Sequence, residues 1–285
     1  MYKTRHAWMF LLLPGIFILI FTIIPAFAAM VLSLTNYNVF TPVQWQGLDN
    51  YIKLFQDSDF WNAMKNTVTY WLLVTPALSV LAILLAVLVN RKIKGVSIYR
   101  LIYYFPVLVS VVVTAMLWKW MFQEDGIMNY AISLFGTEPV KWLTSRPAVL
   151  PSLAIVTIWQ GLGYYMLFYL AGLQSISTEL YEAASIEGAG FWKQQFYITL
   201  PLIKPTMFFV VVVSTMAAFK EFTLMLTMTN GGPLGASTTV VYMIYKKAFQ
   251  QLDMGYASAI SFVLFLIILG LTIINQKLLD RDNQV

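Results

Sequence analysis

The sequence predicts an all-α polytopic membrane protein with six spanning helices, and three observations carry that reading. Of its 285 residues 59% are hydrophobic and 11% charged, whereas soluble domains carry about 25% charged residues. The mean hydropathy is +0.72. Residues other than Asp, Glu, Lys and Arg form uninterrupted runs at 7–48, 66–90, 101–118, 147–178, 222–245 and 254–276, and a spanning helix needs roughly 20 apolar residues. A disordered chain, a nucleic-acid binder and an ordinary cytosolic enzyme are thereby excluded. Cysteine is absent and His6 is the single histidine, which removes disulfides, thiolate nucleophiles and histidine-based metal chemistry.

The first span is expected at about 8–34. Lys3, Arg5 and His6 give it a basic start, and Ala26-Phe27-Ala28 has the small-x-small look of a cleavage site. A signal peptide's apolar region is about 7 to 15 residues long, so apolarity continuing to Leu34 favours an uncleaved helix. The second span, about 66–90, leads into a short loop holding Arg91, Lys92, Lys94 and Arg100. Lys and Arg beside span ends mark the cytoplasmic face. That loop, both termini and the segment from Gln174 to Lys204 are therefore expected inside, and with them Lys193, Lys277 and Arg281. The third, fourth and sixth spans are expected at about 101–122, 149–174 and 256–277, with outer loops at about 36–65, 119–147 and 229–255. The chain then forms a single transmembrane domain over 1–285. Retained cytoplasmic Lys and Arg account for the net charge of +5, with specific lipid or phosphate contacts as the alternative. Trp8, Trp71, Trp118 and Trp142 lie near span ends, where amphipathic rings favour the headgroup level.

The fifth span is irregular. Its uncharged residues run from Pro205 to Phe219, and at 1.5 Å per residue such a helix falls short of a hydrocarbon core of about 30 Å. Extension to Met228, giving a span of about 204–228, places Lys220 and Glu221 inside the membrane boundary. Ionisable residues there face a bundle interior or a wet cavity, or snorkel to the interface. On a continuous helix the two would point about 100° apart, so each would need a partner elsewhere.

The inner segment between the fourth and fifth spans, about 177–201, reads Glu182-Ala183-Ala184, three residues, Gly188, nine residues, then Ile198-Thr199-Leu200-Pro201. Ser177 or Thr178 suits a helix N-cap, and Glu179 and Glu182 suit the positive end of that helix. Ala183, Ala184 and Gly188 leave one face nearly free of side chains. A second short helix from about Phe191 comes after the Gly188-Ala189-Gly190 break, and Pro201 and Pro205 are expected to redirect the chain into the fifth span. Small residues also pack membrane helices together. A segment carrying Glu179, Glu182, Glu187 and Lys193 does not sit in hydrocarbon, however, so docking on a cytoplasmic protein is the better reading.

This spacing resembles the EAA loop of permease subunits in binding-protein-dependent ABC importers, matched at Glu182, Ala183, Ala184, Gly188, Ile198, Leu200 and Pro201. The flanking Leu173-Gln174, Leu180-Tyr181 and Thr229-Asn230-Gly231-Gly232-Pro233 look like the carbohydrate branch typified by the maltose permease larger subunit. That subunit's extra N-terminal spans and large extracytoplasmic insertion have no counterpart here. The resemblance implies the type I ABC importer permease fold in a prokaryotic cytoplasmic membrane. It implies a second, related permease subunit, two ATP-binding subunits seated on the EAA loops and an extracytoplasmic solute-binding protein delivering a carbohydrate, with an oligosaccharide favoured. No Gly-x-x-x-x-Gly-Lys-Ser/Thr phosphate loop occurs. This chain is therefore expected to bind no cofactor, ATP and Mg belonging to its partners.

In the maltose-type permease the sugar is held by the helices before and after the EAA loop. The resemblance places Thr157, Gln160, Gly161 and Tyr164 on the first and Ser214, Ala217 and Ala218 on the second; Lys220 and Glu221 join the pathway candidates as ionisable residues inside the fifth span. Ala217 and Ala218 stand where that family member has a bulky aromatic and an amide, which argues against maltose itself. Gln160 and Tyr164 lie four apart on one helical face, and an amide beside a ring suits a sugar. Two rival readings remain: an ABC permease for a non-sugar solute, and an ion-coupled secondary transporter using Lys220 and Glu221. The second rival predicts a matching broken helix in each half of the chain, and the EAA region has no second copy. A membrane-embedded enzyme is disfavoured by the lack of His, Cys and clustered carboxylates within the spans.

Overall fold

The computed structural model describes residues 4–91 and 94–282, with side chains over 10–91 and 94–277. Lys3 and Lys92 of the orientation argument lie outside the described residues, as do the side chains of Arg5, His6, Trp8 and Arg281. Helix α1 is built from Thr4–Ile18, a π-helical turn at Leu19–Ile23 and Ile24–Leu32. After it come α2 (Asp49–Gln56), α3 (Ser58–Val89), α4 (Val96–Tyr104), α5 (Val111–Met121), α6 (Ile127–Ser133), α7 (Arg146–Gln174), α8 (Thr178–Ile186), α9 (Phe191–Phe219), α10 (Val240–Tyr245) and α11 (Met254–Asp282). Among the described residues five helices are long and apolar enough to cross a membrane, or six if the bent pair α4 and α5 is one span.

The chain divides into two compact units. One comprises Met1–Trp61 with Met243–Ile267 and the other Asn62–Tyr242 with Ile268–Val285. In the first unit, the apolar residues of α1 from Phe10 are exposed nearly all round, as expected of a helix whose solvent is lipid. Polar ties hold the chain together beyond its C-terminal end. Asn50 donates its amide hydrogens to the carbonyls of Ser33 and Thr35 at 2.9 and 2.8 Å, and Tyr256 donates to Asp57 at 2.6 Å.

The core of the second unit starts from a stripe on α3, where Tyr70, Val74, Leu78, Ala82 and Ala86 recur every four residues and are all buried. That period keeps them on one face. They join Leu153, Val156 and Met166 of α7 in one cluster. The closest approach is at Gly163, where a Cβ would stand 2.1 Å from the Tyr103 carbonyl oxygen. Glycine there lets α7 lie directly against the α4 backbone.

Three features differ from the sequence reading. The third span, expected at about 101–122, is broken. α4 runs on as a 3₁₀ turn at Phe105–Leu108, Val109 and Ser110 are extended, and α5 leaves at 96°. Pro106, which has no N–H to give and a fixed φ, sits where regular helix stops. The fifth span, expected at about 204–228 after a redirection, is instead one continuous helix from Phe191 that ends at Phe219. Pro201 and Pro205 are inside it. A π-helical turn at Gln195–Thr199 opens the ladder where Pro201 cannot donate, so the helix survives. Finally, Trp71, Trp118 and Trp142 are engaged within the protein. The indole N–H of Trp71 donates to Thr215 and that of Trp142 to Asn129, each at 2.9 Å, and Trp118 is buried with its ring 5.6 Å from Trp159.

Candidate functional site

The segment after α7 is built by capping chemistry. Ser177 Oγ accepts the N–H of Glu179 at 3.3 Å, starting α8. At the other end Gly188 adopts φ +79°. The Ala189 N–H returns to the Ala184 carbonyl at 2.8 Å and the Gly188 N–H to that of Ser185 at 3.1 Å, the paired bonds of a Schellman stop. A Cβ at Gly188 would meet nothing within 4 Å. The left-handed backbone therefore demands the glycine, rather than the small-residue face inferred from the spacing.

α8 is clamped to the start of α9. Tyr181 and Thr199 share a hydroxyl hydrogen bond of 2.9 Å, and the Gln194 amide donates to Ser185 Oγ at 2.9 Å and to the Ala189 carbonyl at 3.1 Å. The Arg91 guanidinium lies 4.9 Å from the centre of the Phe191 ring. Glu182, Ala183, Gly188 and Pro201 are exposed, while Ala184, Ile198 and Leu200 are half-buried. Around them Ile186 is 89% exposed and Tyr197 80%, together with Trp192 and Phe196. The result is a rigid helix–turn–helix with an open apolar surface flanked by Glu179, Glu182 and Glu187.

The other candidates are split between interior and surface. Adjacent residues of α3 reach two different helices: Tyr70 shares a hydrogen bond with Thr157 of α7, and Trp71 donates to Thr215 of α9. Thr157 is thus occupied. Ser214 is buried and donates back to the Val211 carbonyl at 3.2 Å, and Ala218 is buried. Gln160 donates to the Val109 carbonyl at 3.0 Å, the acceptor freed where α4 and α5 part. Gly161 faces the Tyr165 and Leu78 side chains. Tyr164, 40% exposed, and Ala217 remain on the surface. The Tyr164 ring packs edge-on to Phe168 at 4.8 Å, and Phe168 packs in turn on Phe209 of α9 at 5.0 Å.

Lys220 and Glu221 are not on a helix at all, because α9 has ended before them. Lys220 is exposed. Glu221 Oε1 accepts the N–H groups of Phe222 and Leu224 at 3.1 and 3.0 Å, and its carbonyl accepts the Thr239 hydroxyl. It caps the helical turn that runs into Met225–Thr229. Beyond that turn the segment 230–239, taken from sequence as the start of an outer loop, folds inward. Ser237 and Thr239 are fully buried, Asn66 donates to the carbonyls of Gly235 and Thr238, and Thr67 Oγ1 accepts the Val240 N–H at 3.0 Å. Tyr70, Trp71, Asn66 and Thr67, all on α3, were missed by sequence reasoning. The signal available was polar side chains within an apolar span, where an unpaired polar group is costly.

The continuous helix α9 and the capped helix–turn–helix that leads into it form a recognisable arrangement. Residues 78–283 match the model of the binding-protein-dependent transport system inner membrane component. The chain belongs to this family. Among its relatives, the lactose transport system permease protein LacF of Rhizobium radiobacter is 32% identical over 94% of this chain and 91% of its own length. The sn-glycerol-3-phosphate transport system permease protein UgpA of Yersinia pestis is 34% identical over 92% and 90%. A crystal structure of a bacterial alginate ABC transporter, in complex with an alginate pentasaccharide-bound periplasmic protein, superposes with a TM-score of 0.85 at 26% identity, covering 96% of this chain and 93% of that one. The fold is the type I ABC permease fold, and family members are transport components of ABC importers.

Proposed function

We propose that this chain is the permease subunit of an ATP-driven importer that takes a carbohydrate across a prokaryotic cytoplasmic membrane, its EAA segment at 177–201 seated on an ATP-binding subunit. The observation that carries the reading is the exposed helix–turn–helix from Ser177 to Leu200, held rigid by its own caps and continuous with α9. A push on α8 reaches Tyr181 and Thr199 and so passes into a 29-residue helix without a flexible joint. The basic loop with Arg91, Lys94 and Arg100 lies on the same cytoplasmic side in this reading, and both termini are inside. ATP and Mg belong to two partner subunits, a second permease completes the pathway, and an extracytoplasmic solute-binding protein delivers the solute. LacF and the alginate transporter support a sugar or oligosaccharide, while UgpA makes a phosphorylated polyol the competing solute. Family membership speaks against the ion-coupled alternative.

Ile186→Asp tests the docking step. Its side chain is open to solvent, so the chain is expected to fold and assemble normally in the membrane, while binding-protein-stimulated ATPase of the reconstituted complex falls at least tenfold. Full ATPase in this variant overturns the docking assignment. Uptake of labelled lactose against labelled sn-glycerol-3-phosphate in vesicles then separates the solute classes.

A further inference from the structure

Within the first unit, the segment after α1, helix α2 and the residues just before α11 line an open cleft of about 730 Å³. Small-molecule sites span roughly 300–1,000 Å³. The lining is unusually rich in carboxamides, and the way these are held decides what the cleft offers. Asn38 Oδ1 accepts three hydrogen bonds, from the N–H of Phe40, the N–H of Thr41 and the Thr41 hydroxyl, at 3.0, 2.9 and 3.0 Å. Asn36 Oδ1 accepts the Gln44 N–H at 2.7 Å. Both oxygens are pinned by backbone donors, so both amide NH₂ groups are left as fixed, unpaired donors. Asn50 is the complement. It is 6% exposed, its NH₂ is committed to the carbonyls of Ser33 and Thr35, and its Oδ1 is left as a fixed acceptor. Phe40 adds a ring that is 79% exposed.

Paired fixed donors and an acceptor beside an exposed ring match the vicinal hydroxyls and apolar face of a pyranose. The charges on the lining are Asp49, Asp253 and Lys53, with Lys53 3.6 Å from Asp253. The net charge is −1, which disfavours a uronate or a phosphate. We propose that this cleft is a binding site for a neutral saccharide, separate from the membrane pathway. It rests on the proposed membrane orientation only in being placed on the outer face.

The double variant Asn36→Asp/Asn38→Asp keeps each Oδ1 acceptor and the loop, but replaces both free donors by acceptors. Saturation-transfer NMR on the assembled complex in nanodiscs, with maltotriose and lactose as probes, should show binding that weakens at least fivefold in the double variant and in Phe40→Ala. Transport-coupled ATPase should be retained. Unchanged probe binding in the variants, or no binding of either probe to the wild type, overturns the proposal. Loss of binding-protein-stimulated ATPase with unchanged saccharide binding would make the cleft a protein-docking surface and overturns it equally. None of these outcomes depends on the docking role of Ile186, whose variant reports on the other proposal.

Discussion

Gly163 and Gly161 lie two residues apart on α7 and should respond to alanine in opposite ways. A Cβ on Gly163 would stand 2.1 Å from the Tyr103 carbonyl oxygen, 2.7 Å from the Tyr103 carbonyl carbon and 2.8 Å from the Tyr104 Cα. Heavy atoms essentially never come within 3.0 Å of a real Cβ, so α4 and α7 must part by about 0.9 Å, the difference between 3.0 and 2.1. All three obstacles are backbone, and no side-chain rotation relieves them. Overpacking of this kind costs about 1–3 kcal/mol, at the upper end when backbone must move. Replacing a mid-helix glycine by alanine returns about 0.5–1 kcal/mol, leaving a net loss of about 2 kcal/mol for Gly163→Ala. At Gly161 the new Cβ would sit 3.4 Å from a Tyr165 ring atom and 3.6 Å from a Leu78 methyl, ordinary contact distances, so Gly161→Ala should gain about 0.5 kcal/mol. The check is the fraction of detergent-solubilised, fluorescently tagged protein that stays monodisperse after heating. Gly163→Ala should lose monodispersity several degrees below wild type and Gly161→Ala at or slightly above it. Equal behaviour of the two variants, or a stabilised Gly163→Ala, would refute the close-approach argument.

Asn129 is buried, shares its two amide hydrogens among the carbonyls of Gln123, Glu124 and Val140, and accepts from the Val140 N–H and the Trp142 indole. At about 1 kcal/mol net per bond, Asn129→Ala should cost several kcal/mol locally and open the 123–142 segment to limited proteolysis in membranes, with helices on either side intact. Glu221→Gln keeps the oxygen that accepts from Phe222 and Leu224 and should retain near wild-type uptake. Glu221→Ala removes that cap, about 1 kcal/mol, and should lower both uptake and thermal stability. Abolished uptake in Glu221→Gln would point instead to a charge-dependent role. Gly188→Ala, at a positive φ with open space around it, should cost about 1 kcal/mol and fray the C-terminal end of α8, seen as faster hydrogen exchange at Glu187, Gly188 and Ala189 with the rest of the helix protected.

Membrane helices were legible wherever hydrophobic length alone decides. α1, α3, α7 and α11 emerge from runs without charge, because lipid imposes a simple length rule. The features that escaped were places where a local rule competes with tertiary context. Pro201 and Pro205 read as helix breakers, yet the helix runs through both, with a π-helical turn at Gln195–Thr199 just before Pro201, and such a turn has no compositional signature. Pro106 sits in the middle of an otherwise ordinary apolar run, and the break it accompanies falls after Leu108. The helix–turn–helix at 177–201 was legible as a capped segment because its caps are local: Ser177 and Gly188 act within a few residues of themselves. Asn36, Asn38 and Asn50 carried no signal in the sequence, since the partners that pin them are backbone groups no pattern identifies.

The two breaks explain why polar residues in these spans are poor guides to the solute. In hydrocarbon every backbone group must be satisfied by the protein. Ending α4 before Val109 frees a carbonyl, and Gln160 takes it. Ending α9 at Phe219 strands the N–H groups of Phe222 and Leu224, and Glu221 takes those while Thr239 takes the Glu221 carbonyl. Gln160 was a pathway candidate by resemblance and Glu221 as an ionisable residue within a span, and both are committed to backbone by geometry. Tyr164, Ala217 and Lys220 are the pathway candidates left exposed, and of these Tyr164 brings a ring and a hydroxyl to a surface. A solute contact in this chain should therefore fall first on Tyr164, whereas substitutions at Gln160 should act through the bend between α4 and α5, and the two are separable as altered solute selectivity against altered stability.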